Sequence, residues 1–228
     1  MSIALPTSAW TTWGIVVVLT GISAWVTHGL RTRGPGRGQA LFEIFAEQLR
    51  KLIREIVRSD PEPYVPLTGT LFLFVFIANL VGMIPGLHSP TGDLGVTAGL
   101  AAVVFFSVPY YGIRSRGVRH YAQSYLKPNP FMLPFNLLGE LTRTLSLAVR
   151  LFGNIMSGEY LLLVVIGVVT SLLRGYASVF IPFTFLLTLF LSILSLITAA
   201  IQAYIFTVLA LVYIGAAVGQ HERKERSQ

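Results

Sequence analysis

An arginine in the middle of an apolar run is the residue of this chain with the most chemistry to offer. Arg150 lies in Leu145-Ser146-Leu147-Ala148-Val149-Arg150-Leu151-Phe152-Gly153-Asn154, and no other charged residue occurs between Arg143 and Glu159. A charged side chain at the centre of a lipid-embedded helix costs at least ~2.5–3.5 kcal/mol on insertion scales, so such a residue faces a cavity or a partner and has a function. Its guanidinium does not lose its proton in a protein, whereas a desolvated lysine does so readily. A permanent cation favours the ionised form of any acid brought beside it. The chemistry on offer is electrostatic and needs no covalent step.

The polar residues near Arg150 recur at helical spacing. Arg143, Arg150 and Ser157 are seven apart, and Ser146 and Asn154 lie four on either side of Arg150, so all five share one helix face. Glu159 is nine residues on and about half a turn off that face. Arg143 reads equally well as a part of this functional face in ion translocation and as a structural residue that snorkels to the cytoplasmic interface or pairs with Glu140 three residues earlier. Further along, Thr188, Ser192, Ser195, Ala199 and Gln202 recur at steps of four and three. Small residues there permit close helix approach, and Gln202 can hydrogen-bond a guanidinium. The Ser and Thr positions read equally well as a packing seam.

The elements that must carry these residues follow from composition. Of 228 residues, 54% are hydrophobic and only 12% charged, against about 25% charged in ordinary soluble domains. The apolar residues stand in long blocks, and a helix needs roughly 20 of them to cross a bilayer. The expected fold is an all-α integral membrane protein forming a single membrane domain over 1–228. Five crossings are expected, at 10–28, 67–84, 94–113, 131–173 and 176–219. Trp10, Trp13 and Trp25 lie near the ends of the first, where indole rings favour the interface. The last two stretches would each reach ~60 Å if straight and helical, about twice the ~30 Å hydrocarbon core. They are expected as a long, tilted hairpin turning at Arg174-Gly175. Between the first and second crossings, Leu41, Phe42, Phe45, Leu49, Leu52, Ile53 and Ile56 form one apolar stripe, with Glu43, Glu47, Arg50, Lys51, Arg54 and Glu55 opposite. This predicts an amphipathic helix over 39–58, lying in the membrane interface or packed on a soluble partner. A Gly/Arg-rich turn at 31–38 precedes it, and the proline-rich stretch from Ser59 to Pro66 ends it. Pro85 to Gly92 should close a short hairpin between the second and third crossings.

Charge sets the orientation. Seven Lys and Arg lie between Arg31 and Arg58, four between Arg114 and Lys127, and three at Arg223, Lys224 and Arg226. With five crossings all fourteen face one side, leaving Arg174 opposite and Arg143 and Arg150 within the membrane. The positive-inside rule then puts the N-terminus outside and the C-terminus in the cytoplasm. Along the helix of Arg150, Glu140 is displaced inward and Glu159 outward. The first thirty residues hold no Lys or Arg, so the opening block is expected to stay in the mature protein.

With these residues in place, a resemblance is visible. Arg150-Leu151-Phe152-Gly153-Asn154, then Gly158-Glu159, then Gln202-Ala203-Tyr204-Ile205-Phe206, resemble subunit a of F-type ATP synthases. Asn79-Leu80-Val81-Gly82-Met83-Ile84-Pro85 resembles that family's second-span ending, and Asp93 with Thr97 its third-span opening. The first sixty residues match only in pattern. The resemblance implies an ion-translocating F0 subunit of a bacterial plasma membrane, not an enzyme by itself and without cofactor. Its partners would be a rotor ring of c subunits, b-type peripheral stalk subunits and the rest of the F1F0 complex. Arg150 would be the stator arginine facing the ring, with Gln202 beside it. Asn154 and Glu159 would line the external access path, with Asp93 at its mouth. Glu140 falls one residue from the register of a cytoplasmic-path carboxylate. Ser195 departs from the family, where many relatives carry His or Glu; Glu159, Asp93, His88 or water would take over that part.

Other classes fare worse. The absence of cysteine excludes disulfides and cysteine-held metals. The net charge of +7 lies beside apolar blocks and not in an aromatic-interleaved patch, which argues for lipid and orientation over nucleic acid. A stand-alone transporter would want an internal repeat, and a voltage sensor an arginine at every third position. Neither pattern occurs. A membrane hydrolase would need HExxH, GxSxG or paired carboxylates, and no Walker motif is present for nucleotide.

Overall fold

The computed structural model describes residues 11–17, 20–21, 37–82, 89–119, 121, 123, 131, 133–172 and 177–219. Most of the 10–28 segment lies outside this set, as do Arg31 to Gly36, His88, Lys127, the Arg174-Gly175 turn and the tail from 220. Residues 11–17 and 20–21 are helical, and Trp13 is exposed. The described residues contain helices and no strand.

Helix α1 spans Arg37–Val57, so Gly38, expected in the preceding turn, lies in its first turn. Leu49, Ile53 and Val57 turn into the core, and Glu47, Lys51, Arg54 and Glu55 stay exposed. The helix stops where Arg58 takes a left-handed conformation, φ 57°. Helix α2 follows over Val65–Val81. Pro66, expected in the break, instead sits in its first turn, where a helix has no use for the missing N–H. A 3₁₀ turn at Pro90–Gly92 leads into α3, Leu94–Arg116. Asp93 caps α3 by accepting a 2.8 Å hydrogen bond from the Gly95 amide. Helix α3 runs on through Pro109.

Two long helices complete the chain: α4, Leu133–Leu172, with 40 residues, and α5, Ala177–Gly219, with 43. Pro134 falls in the first turn of α4, where proline disturbs a helix least, and α5 runs on through Pro182 in its second turn. Helix α3 and the Phe185–Gly219 part of α5 are each long and apolar enough to cross a membrane; α2 is apolar but shorter.

The core sits where helices α1 to α5 meet. One buried cluster joins Leu71 and Val75 of α2, Val104 of α3, Leu147 and Leu151 of α4, and Ala203, Phe206 and Ala210 of α5. A second joins Leu49, Ile53 and Val57 of α1 with Tyr64, Val108, Leu211 and Ile214. Polar ties support it: the Tyr111 hydroxyl donates to the Pro63 carbonyl at 3.0 Å, and Arg116 Nε to the Val218 carbonyl at 3.2 Å. The latter joins the ends of α3 and α5. By contrast, α4 and α5 leave long rows of Leu, Ile, Val and Phe exposed, among them Leu141, Leu145, Val149, Phe190 and Ile197. Rows of this extent suit lipid or another protein.

Candidate functional site

Helix α4 holds Arg150 between buried neighbours. Leu147, Ala148 and Leu151 anchor this part of α4 in the core, and that fixes the opposite side outward. Arg143, Ser146, Arg150 and Ser157 are all exposed on that side. The guanidinium of Arg150 therefore stands among exposed Leu145 and Val149 rather than inside this chain.

Asn154, one turn on, is half-buried and turned toward α5. Its Nδ2 donates to Gln202 Oε1 at 3.2 Å, and Gln202 is only 4% exposed. Among the described residues, the carboxamide of Gln202 thus meets Asn154 and not the guanidinium, the contact anticipated from sequence. The pair sets the register of α4 against α5 one turn from the cation. Ser157 Oγ donates back to the Asn154 carbonyl at 3.0 Å. On α5, Ala199 is buried while Thr188, Ser192 and Ser195 are half-buried. Ser192 Oγ returns its proton to the Thr188 carbonyl at 2.9 Å, as expected of a hydroxyl in a helical seam.

The remaining site residues are spread along the molecule. Glu140 is half-buried one turn before Thr144, whose hydroxyl donates to the Glu140 carbonyl at 3.0 Å. Glu159 lies on the backbone of α4, and its side chain is outside the described set. Asp93 is half-buried at the start of α3, with its carboxylate on the Gly95 amide and its carbonyl accepting from the Thr97 amide at 3.1 Å. The 3₁₀ turn just before it packs against α2, α3 and α4.

A polar cluster there was not singled out from sequence. Ser89 Oγ lies 3.0 Å from the Ala78 carbonyl and 2.7 Å from Thr91 Oγ1, which lies 2.8 Å from Asn79 Oδ1. Two hydroxyl protons thus serve three contacts, so only two are made at once. All three side chains are almost fully buried, and the Asn79 amide nitrogen has no partner among the described residues. The run Ser89-Pro90-Thr91-Gly92-Asp93 carries a turn signal, but nothing local says that its hydroxyls fold back under α2. Among the described residues no cluster of three His, Cys, Asp or Glu could hold a metal.

Long apolar helices around one core, with a cation presented on the outer face of one of them, define an all-helical membrane protein. Comparison with known proteins makes this specific. The profile of the ATP synthase A chain family matches residues 9–215. ATP synthase subunit a 2 of Acaryochloris marina is 44% identical over 220 residues, covering 95% of this chain and 88% of that relative. The subunit a 2 of a Bradyrhizobium species is 46% identical over 209 residues, 92% and 87% of the two chains. Subunit a of Legionella pneumophila is 42% identical over 222 residues, 97% and 90%. The chain belongs to the ATP synthase subunit a family.

Proposed function

We propose that this chain is the stationary ion-conducting subunit of the F0 sector of a rotary ATP synthase. In this reading it is not an enzyme by itself, works in a bacterial plasma membrane and assembles with a c-ring, b-type stalk subunits and F1. Five helices cross the bilayer, the last two as a tilted hairpin, with the N-terminus outside and the C-terminus in the cytoplasm. Helix α1 lies in the cytoplasmic interface.

The observation that carries the reading is the outward placement of Arg150, one turn from the Asn154–Gln202 bond and on a helix whose exposed residues include Leu145 and Val149. A cation on that surface suits a partner that brings carboxylates through the membrane. A protonated ring carboxyl reaching Arg150 is driven to its ionised form, because the nearby positive charge favours the anion. The released proton leaves by water on one side, and a proton from the other side refills the carboxylate once it has passed. Glu140 with Arg143 would border the cytoplasmic path, and Asn154, Glu159, Ser195 and Asp93 the external one. Arg150 keeps its own proton throughout and repels cations that would leak directly between the paths. A potential of 100 mV supplies ~2.3 kcal/mol per charge moved, which sets the downhill direction. A bound Na⁺ would obey the same electrostatics.

The test is transport by the whole complex in sealed vesicles. Arg150→Ala and Arg150→Lys should abolish ion-driven ATP synthesis while the subunit still inserts and assembles. Near-normal synthesis with Arg150→Ala would reject the role.

A further inference from the structure

A cavity of about 380 Å³ lies between α1, α2 and α5, away from Arg150 and unused by the mechanism above. That size is within the range of small-ligand sites, roughly 300–1,000 Å³. Its lining divides by chemistry. Phe45 and Leu52 of α1 and Phe72 of α2 form an apolar floor, with the Phe45 and Phe72 rings 5.4 Å apart. Lys51 and Glu55 of α1 form a charged rim with Gln48, and Tyr204 of α5 stands opposite. An apolar floor under a rim of both charges matches an amphiphile that carries both charges.

We propose that this open cavity seats the headgroup and part of one acyl chain of a zwitterionic phospholipid of the ethanolamine class, the rest of the lipid lying in the surrounding bilayer. Its phosphate meets Lys51, its primary ammonium meets Glu55, and an acyl chain lies on Phe45, Leu52 and Phe72. Lys51 and Glu55 are four apart on one helix, about 5–6 Å between Cβ atoms, a span that two adjacent headgroup charges can bridge. Neither Lys51 nor Glu55 takes part in the Arg50–Glu62 ion pair of α1, so both remain available to a ligand. A carboxylate at the rim selects against purely anionic lipids. A primary ammonium donates hydrogen bonds to that carboxylate, which a quaternary ammonium cannot do. The inference rests on the interfacial placement of α1 proposed above and not on the role of Arg150.

The probe is phosphatidylethanolamine with a diazirine in one acyl chain, added to the intact complex after detergent delipidation and mapped by peptide mass spectrometry. Labelling should fall on the α1 peptide containing Phe45 and Leu52 and on the α2 peptide containing Phe72. Unlabelled phosphatidylethanolamine should compete about fivefold better than phosphatidylglycerol or phosphatidylcholine of the same chains, the upper end for a charge-assisted contact at an exposed rim. Glu55→Gln should erase the preference for ethanolamine over choline, and Lys51→Gln should weaken all phospholipids. Arg150→Ala should leave the labelling unchanged while it stops transport, which separates this proposal from the one before. Label absent from both peptides, or equal competition by all three lipids, would overturn it. So would crosslinks from Phe45→benzoylphenylalanine that capture a ring or stalk subunit in that cavity.

Discussion

Two regions of the molecule are built on opposite principles. Where α1 meets α5, side chains such as Ile53, Leu211 and Ile214 are sealed on every side by this chain's own residues. Around Arg150 the inward residues Leu147, Ala148 and Leu151 are sealed, and the outward side carries the cation together with exposed leucine and valine. The first region has everything it needs to hold its shape. The second is complete only when another surface covers it. The proposed role, holding still while a partner moves past, would need both, and the Asn154–Gln202 bond lies one turn from the cation.

That contrast can be broken from either side. The largest effect should come from Arg150→Ala, which removes the charge without touching the core: coupled transport falls to background while the complex assembles at normal yield. Next, Ile53→Ala and Phe206→Ala should act in the reverse sense, costing about 2–5 kcal/mol by cavity formation and lowering the thermal stability of the complex, with residual transport still strictly coupled. Gly82→Ala tests the buried polar cluster at the C-terminal end of α2, since a Cβ there would stand 2.6 Å from Ser89 Cβ. Displacing Ser89 should cost about 1–3 kcal/mol and show as a lower melting temperature. Gln202→Leu should sharpen the comparison by slackening the junction alone. An interhelical hydrogen bond in a membrane averages ~0.6 kcal/mol, with a maximum near ~1.7, so transport should slow several-fold with only a slight loss of stability. The smallest effect belongs to the exposed Arg50–Glu62 ion pair at 2.9 Å. Arg50→Ala should change stability by no more than about 1 kcal/mol, and less in high salt.

The helical, membrane-bound class and the mid-helix cation of α4 were legible in the sequence, because both are local signals: apolar length, and a charge set deep in an apolar run. The stripe logic also ranked the face correctly in part. Arg143, Ser146, Arg150 and Ser157 do share an exposed side, whereas Asn154, on the edge of that stripe, turns inward. What escaped were contacts fixed by how distant segments meet. Gln202 looked like a partner for the guanidinium, and the register of α5 on α4 gave it Asn154 instead. Thr91 reads as a loop residue and is fully buried, because the 3₁₀ turn folds back against Asn79 of α2. Pro66 reads as a helix stop and opens α2, since proline's effect depends on whether the turn before it is already helical.

The most direct test asks what Arg150 faces. Val149, beside it, is 53% exposed, and the chain has no cysteine of its own, so a single Val149→Cys substitution reports cleanly. Paired with a cysteine one turn from the acidic residue of the ring helix, it should form a disulfide on oxidation that halts ATP-driven transport until reductant is added. Failure to bridge to the ring, with capture of a stalk subunit or of lipid-soluble maleimide instead, would contradict the account.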